Sequence, residues 1–242
     1  MLEGLYTAAA GMAAQQQRMD ALSNDVANVN TSGYKRVRVG FRDLVYQADG
    51  PNGIRTGSGA AAVQLGRGFQ QGSFEKTEQP LDLAIAGEGY FQVRDASTGQ
   101  TVLTRNGSFG LDATGQIVTA EGDRLVPPIQ LPRGADPSTI SIARDGTVSS
   151  AGRALGQLQL VTVPAPTGLQ ANGNGYFSPT AASGGIRRTT GATVEQGILE
   201  ASNVDLADAM VDMMDAQRSY SMASKAIHMQ DQMMEIANGV KQ

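Results

Sequence analysis

The sequence predicts an α+β fold, with long N- and C-terminal helices paired as a coiled-coil-like hairpin and a central all-β domain between them. Three observations predict it. All nine prolines lie between Pro51 and Pro179, leaving both ends without one. Both proline-free ends carry apolar residues at seven-residue spacing. The middle instead alternates apolar and polar residues over short runs broken by glycine-bearing turns. Proline inside a helix costs about 3 kcal/mol, so its placement separates helical ends from a region of another kind.

At the N-terminus Leu5, Met12, Met19 and Val26 are seven residues apart, with Ala8, Leu22 and Val29 between them. This is the alternating three–four spacing of a helical seam. A helix over about 3–28 follows, closed by Asn30-Thr31-Ser32-Gly33, where Gly33 suits a positive φ. Gln15, Gln17, Arg18 and Asp20 are expected on the opposite face. The stretch from Asp49-Gly-Pro-Asn-Gly53 to Gly68, and that from Ala181 to Gly191, are rich in small residues and read as connectors.

Between them lie Tyr90–Val93, Thr101–Thr104, Ser108–Leu111, Gln116–Val118, Thr139–Ile142 and Leu158–Val163, each a short alternating run. Asn106-Gly107, Thr114-Gly115, Glu121-Gly122 and Asp145-Gly146 punctuate them as hairpin turns. The C-terminal helix, over about 204–238, repeats Leu206, Met213, Tyr220, Ile227 and Met234 every seven residues. Ala209, Ala216, Ala223, Gln230 and Ala237 fall between, and Ser202, Asn203 and Asp205 are candidate caps.

Composition bounds the function. The 242 residues are 40% hydrophobic and 17% charged with a net charge of -4, which excludes a disordered chain and a strongly basic nucleic-acid binder. Aromatic residues make up 5% with no Trp, so aliphatic side chains and Met must build the core. With no cysteine there is no disulfide, thiolate metal site or cysteine nucleophile. Met1–Ala10 lacks the basic and apolar regions of a cleavable signal peptide, so any export would need another route. No run approaches the roughly 20 apolar residues that span a bilayer, so membrane insertion is not expected.

No catalytic, cofactor or metal site is expected. The lone His228 sits on the C-terminal helix without a second ligand. Ser32-x-x-Lys35 matches a Ser-x-x-Lys spacing, but at a helix exit and without partner motifs. Gly66-Arg-Gly68 and Gly87-Glu-Gly89 are incomplete phosphate loops, and Asp82, Asp112 and Asp145 stand at turns or strand ends. Lys35, Arg36 and Arg38 read as a solvated basic face, with the Asp205, Asp208 and Asp212 face as its alternative partner.

Two apolar stripes at opposite ends are expected to pair, and a two-helix hairpin leaves apolar surface for other subunits. The expected subunit-interface residues are Leu5, Met12, Met19, Val26, Leu206, Met213, Tyr220, Ile227 and Met234, with Asn24 and Asn28 at the helix end.

Three motifs carry a resemblance. Ser23-Asn-Asp-Val-Ala-Asn-Val-Asn-Thr-Ser-Gly-Tyr-Lys35 resembles the N-terminal signature of flagellar rod, hook and hook-associated proteins, with Asp25 for a second Asn and Tyr34 for Phe. Leu199–Leu206, continuing through Gln217-Arg218 and Tyr220 to Lys225, is similar to that family's C-terminal helix. Gln79–Phe91 with Thr104–Phe109 resembles its central β domain. Lys35-Arg36 followed by Phe41–Gln47 looks most like the distal rod subunits, with proximal rod subunits as the alternative. From another class, the competing reading is a secreted β-domain binding module that dimerises through its helices.

The resemblance implies an inner core domain from helices 1–32 and 204–242, an extended linker over 33–70, a β domain over 71–185 and a return linker over 186–203. It also implies a structural subunit of the basal-body rod in the cell envelope, periplasmic, self-associating into a helical polymer. Other rod and hook proteins, the flagellar type III export apparatus and surrounding ring proteins are the implied partners.

Overall fold

The computed structural model describes residues 2–45, 57–132, 139–189 and 191–239. Contacts divide the chain into two units: Met1–Ala27, Val37–Gly66 and Asp205–Gln242 form the first, Asn28–Arg36 and Arg67–Val204 the second.

The first unit contains α1 (Leu2–Ala27), a two-stranded sheet of β1 (Val37–Val45) and β2 (Gly57–Arg67, its last residue across the boundary), and α2 (Leu206–Gly239). The helices run antiparallel: Gly4 lies against the Gln230 amide, and Arg18 meets Asp212. Asp205 caps α2, its Oδ1 accepting from the N–H groups of Ala207 at 2.8 Å and Asp208 at 3.1 Å. This satisfies two of the donors that a helix start leaves without an internal partner.

Strands β1 and β2 lie within the stretch expected as an extended linker over 33–70. Val37-Arg-Val-Gly-Phe-Arg42 alternates apolar and polar side chains, and period two is the pattern of a strand. Residues 46–56, which hold Gln47 and the Gly-Pro stretch of the expected connector, lie outside the described residues.

The second unit is β-rich. It contains β3 (Phe74–Lys76), β4 (Leu83–Ala86), β5 (Tyr90–Arg94), β6 (Thr101–Thr104), β7 (Phe109–Leu111), β8 (Ile117–Thr119), β9 (Arg124–Leu125) and β10 (Ile140–Ile142). There follow β11 (Thr147–Ser150), β12 (Arg153–Gln157), β13 (Leu160–Thr162), β14 (Gln170–Gly173), β15 (Tyr176–Ser178), β16 (Arg187–Arg188), β17 (Thr193–Gln196) and β18 (Ile198–Glu200). The main sheet runs β14-β15-β6-β5-β9-β8-β7, with β13 joining β5 to β16. A three-stranded sheet runs β10-β11-β12, and β17-β4 and β18-β3 are separate pairs.

Strands β5 and β6 are buried on both faces. Phe91, Val93 and Val102 enter the larger apolar cluster with Leu83, Ile117, Leu125 and Val148. Tyr90 and Leu103 enter a smaller one with Val161, Val163 and Phe177. Edge-on ring contacts, Phe91 to Phe109 at 5.1 Å and Phe69 to Phe177 at 5.4 Å, fix the packing in each.

The return linker expected over 186–203 also forms strands. Strand β4 is almost entirely buried, and its backbone needs a ladder partner. Strand β17 supplies it, with Val194 opposite Ile85 and Gln196 opposite Leu83. Strand β18 pairs with β3 in the same way, Glu200 opposite Phe74.

The turn glycines Gly115, Gly122 and Gly146 have φ of +80°, +89° and +83°, as expected of hairpin corners. Gly107 does not. It is glycine because the backbone of β4 passes over it: an added Cβ would stand 1.6 Å from the Leu83 carbonyl oxygen. Gly107→Ala is therefore expected to destabilise the protein by about 3 kcal/mol in denaturant titration. Gly110→Ala, where an added Cβ meets nothing within 4 Å, is the control and is expected to stay within about 0.5 kcal/mol of the parent.

Candidate subunit interface

The α1–α2 seam is built on small residues. Ala14, Ala209 and Ala216 are fully buried, and an alanine on each side lets two backbones approach closely. Larger seam residues cannot be covered by one partner helix. Leu5, Met12, Met19, Val26, Met213, Ile227 and Met234 are half-buried, while Leu206 and Tyr220 remain 41% and 37% exposed. Asn24 is exposed and Asn28 half-buried, its Oδ1 accepting from Thr31 Oγ1 at 3.1 Å.

Arg18 does not occupy a solvent face as expected. Its Nη2 donates to Asp212 Oδ1 at 2.6 Å, tying α1 to α2. Both side chains are partly exposed, so the pair is worth at most about 1 kcal/mol. It sets helix register more than stability. Gln15 also differs from expectation in being half-buried, whereas Gln17 and Asp20 are exposed.

One feature of the interface escaped the heptad reading. Met210, Val211, Met214, Met222, Met229, Met233 and Ile236 are all exposed, from 49% at Met214 to 67% at Ile236. At 3.6 residues per turn they lie on the side of α2 turned away from Ala209 and Ala216. Thus the side of α2 away from Ala209 and Ala216 carries exposed apolar residues interspersed with the exposed Arg218 and Lys225, and near its C-terminal end Met229, Met233 and Ile236 line a cavity with Gly4 of α1.

In the β-rich unit the chain just after α1 is anchored by charge. Lys35 was expected on a solvated basic face with Arg36 and Arg38; Arg36 and Arg38 are exposed, but Lys35 is buried. Its Nζ donates to Glu200 Oε1 at 2.5 Å and to the Gln70 carbonyl at 2.8 Å. Arg105 Nη1 donates to Glu200 Oε2 at 2.9 Å, and Gly72 N–H to Glu200 Oε1 at 3.0 Å. The Lys35 and Glu200 side chains are wholly inaccessible to solvent. Gly33, with φ +69°, brings its N–H to the Glu200 carbonyl at 2.7 Å while an added Cβ would stand 2.7 Å from the Arg105 backbone.

Two cations thus face one carboxylate. Burial, helped by the nearby Arg105 charge, outweighs the bond to Glu200 and holds the Lys35 ammonium below the ordinary lysine range. Arg105 also lies 5.5 Å from the Tyr90 ring, and Arg67 lies 5.2 Å from the Tyr34 ring, so the cluster is joined to the smaller apolar core.

The turn carboxylates have structural work. Asp95, Asp112 and Asp145 each accept a backbone N–H two residues on and a nearby hydroxyl, from Ser97 and Thr98, Thr114, and Thr147. Those hydrogen bonds hold all three below the usual aspartate range, Asp95 at about 2. Among the described residues no three His, Asp or Glu side chains gather as a ligand set.

Three family descriptions match the chain in order: a flagella basal body rod protein over residues 5–35, a flagellar hook protein FlgE/F/G D1 domain over 84–150, and a flagellar basal body rod FlgEFG protein C-terminal region over 195–240. The chain is 37% identical to the flagellar basal-body rod protein FlgG of Borreliella burgdorferi, over 100% of this chain and 99% of that relative. It is 38% identical to the FlgG of Caulobacter vibrioides, over 99% and 100%. The flagellar hook-basal body complex protein FlhP of Bacillus subtilis is 31% identical over 100% of both chains.

The buried cluster makes a pH prediction. The unfolded chain holds the Lys35 proton more tightly than the folded protein, so this group's contribution to stability rises as pH climbs through the lowered pKa toward 10.5. Lys35→Met removes that dependence and, by breaking a buried pair, costs about 3 kcal/mol near neutral pH. Denaturant titrations of both proteins should show their stability difference widening over that alkaline window. A difference that is flat with pH would contradict the assignment.

Proposed function

The chain belongs to the flagellar basal-body rod protein family, and from that premise we propose that it polymerises as a distal-rod subunit through its terminal helices. It is a structural protein of the basal body and not an enzyme. The observation that carries the assembly mode is the row of exposed apolar residues on α2, from Met210 to Ile236, on the side away from the buried Ala209 and Ala216.

The proposed mechanism divides the helix residues by side. Leu5, Met12, Met19 and Val26 face the seam with Met213, Ile227 and Met234, and their half-buried remainder meets adjacent subunits. Leu206 and Tyr220, exposed in the single chain, are completed by a neighbour. Asn24 and Asn28 supply polar contacts where α1 ends. The outward Met stripe of α2 is the larger part of the interface. Each such side chain contributes about 1.5–3 kcal/mol when fully buried, so a few per subunit hold a polymer that repeats the contact.

Self-association and association with other rod and hook proteins follow from the family. Export through the flagellar type III apparatus, passage through the surrounding rings and a periplasmic position belong to the same proposal. A helix pair that gains much of its stability on assembly suits a chain that must be unfolded to be exported.

Met214→Asp with Met222→Asp tests the outward face without touching the seam. The double variant is expected to keep its helix content by circular dichroism yet give no rods by electron microscopy and no motility in a strain lacking the parent gene. Met213→Asp with Ile227→Asp should lose both assembly and α1–α2 pairing while the β-rich unit stays folded. Rods of normal length from the first double variant would remove the Met stripe from the interface.

A further inference from the structure

The chain crosses between the two units at four points, and the two that lead to the terminal helices are Asn28 and Val204. Residues just inside each point are held to one another. Gly33 N–H donates to the Glu200 carbonyl at 2.7 Å, and Asn203 N–H to the Tyr34 carbonyl at 3.3 Å. Arg36 N–H donates to Asn203 Oδ1 at 2.8 Å. Asn203 Nδ2 reaches the carbonyls of Gly68 at 2.6 Å and Gln70 at 3.0 Å. None of these residues belongs to the main sheet or to the buried residues of the two apolar clusters.

At the centre of this group is the Glu200 carboxylate, bonded to cations 165 and 95 positions earlier in the chain, Lys35 and Arg105. We propose that Glu200 is a latch: it holds the two exits together as a cooperative unit that opens without unfolding of the β core.

The argument is electrostatic. With the carboxylate present, one negative charge faces two positive ones. Without it, two buried like charges are left with carbonyl acceptors alone, and unpaired buried cations draw in water or move out to it. The segments that can yield are those around residues 33–36 and 200–203. Strand β18 is three residues long, and its partner β3 is exposed at every residue. Val93, Leu125 and Val148 are buried in the larger cluster, and the Glu200 carboxylate is bonded instead to Lys35, Gly72 and Arg105. Opening therefore releases Asn28 and Val204 from one another while the core stays closed.

Amide hydrogen exchange on the full chain tests this. In Glu200→Gln, the amides of Gly33, Gly72 and Asn203 are expected to lose protection by about 100-fold, the scale of removing one partner from a buried ion pair. The amides of Ile117, Val126 and Leu158, bonded to Ile129, Gln92 and Gly146 carbonyls, are expected to stay within about 3-fold of the parent. Glu200→Asp keeps the charge on a shorter side chain and serves if the Gln variant does not fold. It is expected to expose the same three amides by about 10-fold. Loss of protection that is uniform across both sets, or absent from the first set, in whichever variant folds overturns the proposal.

Discussion

A single buried carboxylate, Glu200, constrains the β-rich unit where the chain enters and leaves it. One oxygen takes the Lys35 ammonium and the Gly72 N–H, the other the Arg105 guanidinium. Each partner then has a position to keep. Gly33 must adopt positive φ and lie against the Arg105 backbone for Lys35 to point inward. Arg105 must leave β6 at its end and pass beneath the carbonyls of Ile85 and Gly87. Strand β18 must pair with β3 so that Glu200 faces the interior. A buried ion pair is a poor source of net stability, because desolvation offsets most of its attraction. Its value here is geometric: a misplaced exit strands a charge, so only one arrangement of three distant segments is tolerable.

The helical unit rests on a different constraint, the size of the residues at its seam. Alanine at 14, 209 and 216 allows close backbone approach, but contributes little apolar area. Two helices joined mainly through alanines have weak reason to pair in isolation. Leucine and methionine on either side add area only where something covers them, and much of theirs is uncovered. Methionine is the fitting residue for that surface, since its flexible side chain adapts to irregular neighbours. The same composition that makes the lone hairpin marginal makes it adhesive.

The large divisions of the fold were legible in the sequence for physical reasons. Proline cannot enter a helix interior, so its confinement between Pro51 and Pro179 marked both helices. Hairpin glycines such as Gly115 and Gly146 marked corners because other residues rarely adopt positive φ. What sequence reading missed was long-range. Lys35 looks like a surface cation beside Arg36 and Arg38 until Glu200 is folded beside it, and nothing local announces a partner 165 residues away. Strand β17 is only four residues and its neighbour Gly197 breaks the run, so its status as the ladder partner of β4 appears only from β4's burial. The seam of α2 was legible, but its outward apolar side was not: Met222, Met229 and Ile236 also recur every seven residues, yet Arg218 and Lys225 share that side and interrupt the stripe.

These two constraints place the tolerance of the protein in different regions. The β-rich unit encloses most of its buried groups: its strands are paired, its turn carboxylates are bonded within their turns and its apolar clusters are enclosed, while Arg67 Nε and Gln116 Oε1 are buried without a hydrogen-bond partner. A substitution on its surface changes little beyond itself. The helical unit does not close among the described residues, because α2 leaves Met210, Met214, Met222, Met229 and Met233 about half or more exposed. On the proposed assembly through the terminal helices, substitutions on that side of α2 act on association more than on the single chain, and the fit of a partner's surface to a methionine-lined helix face selects the partner.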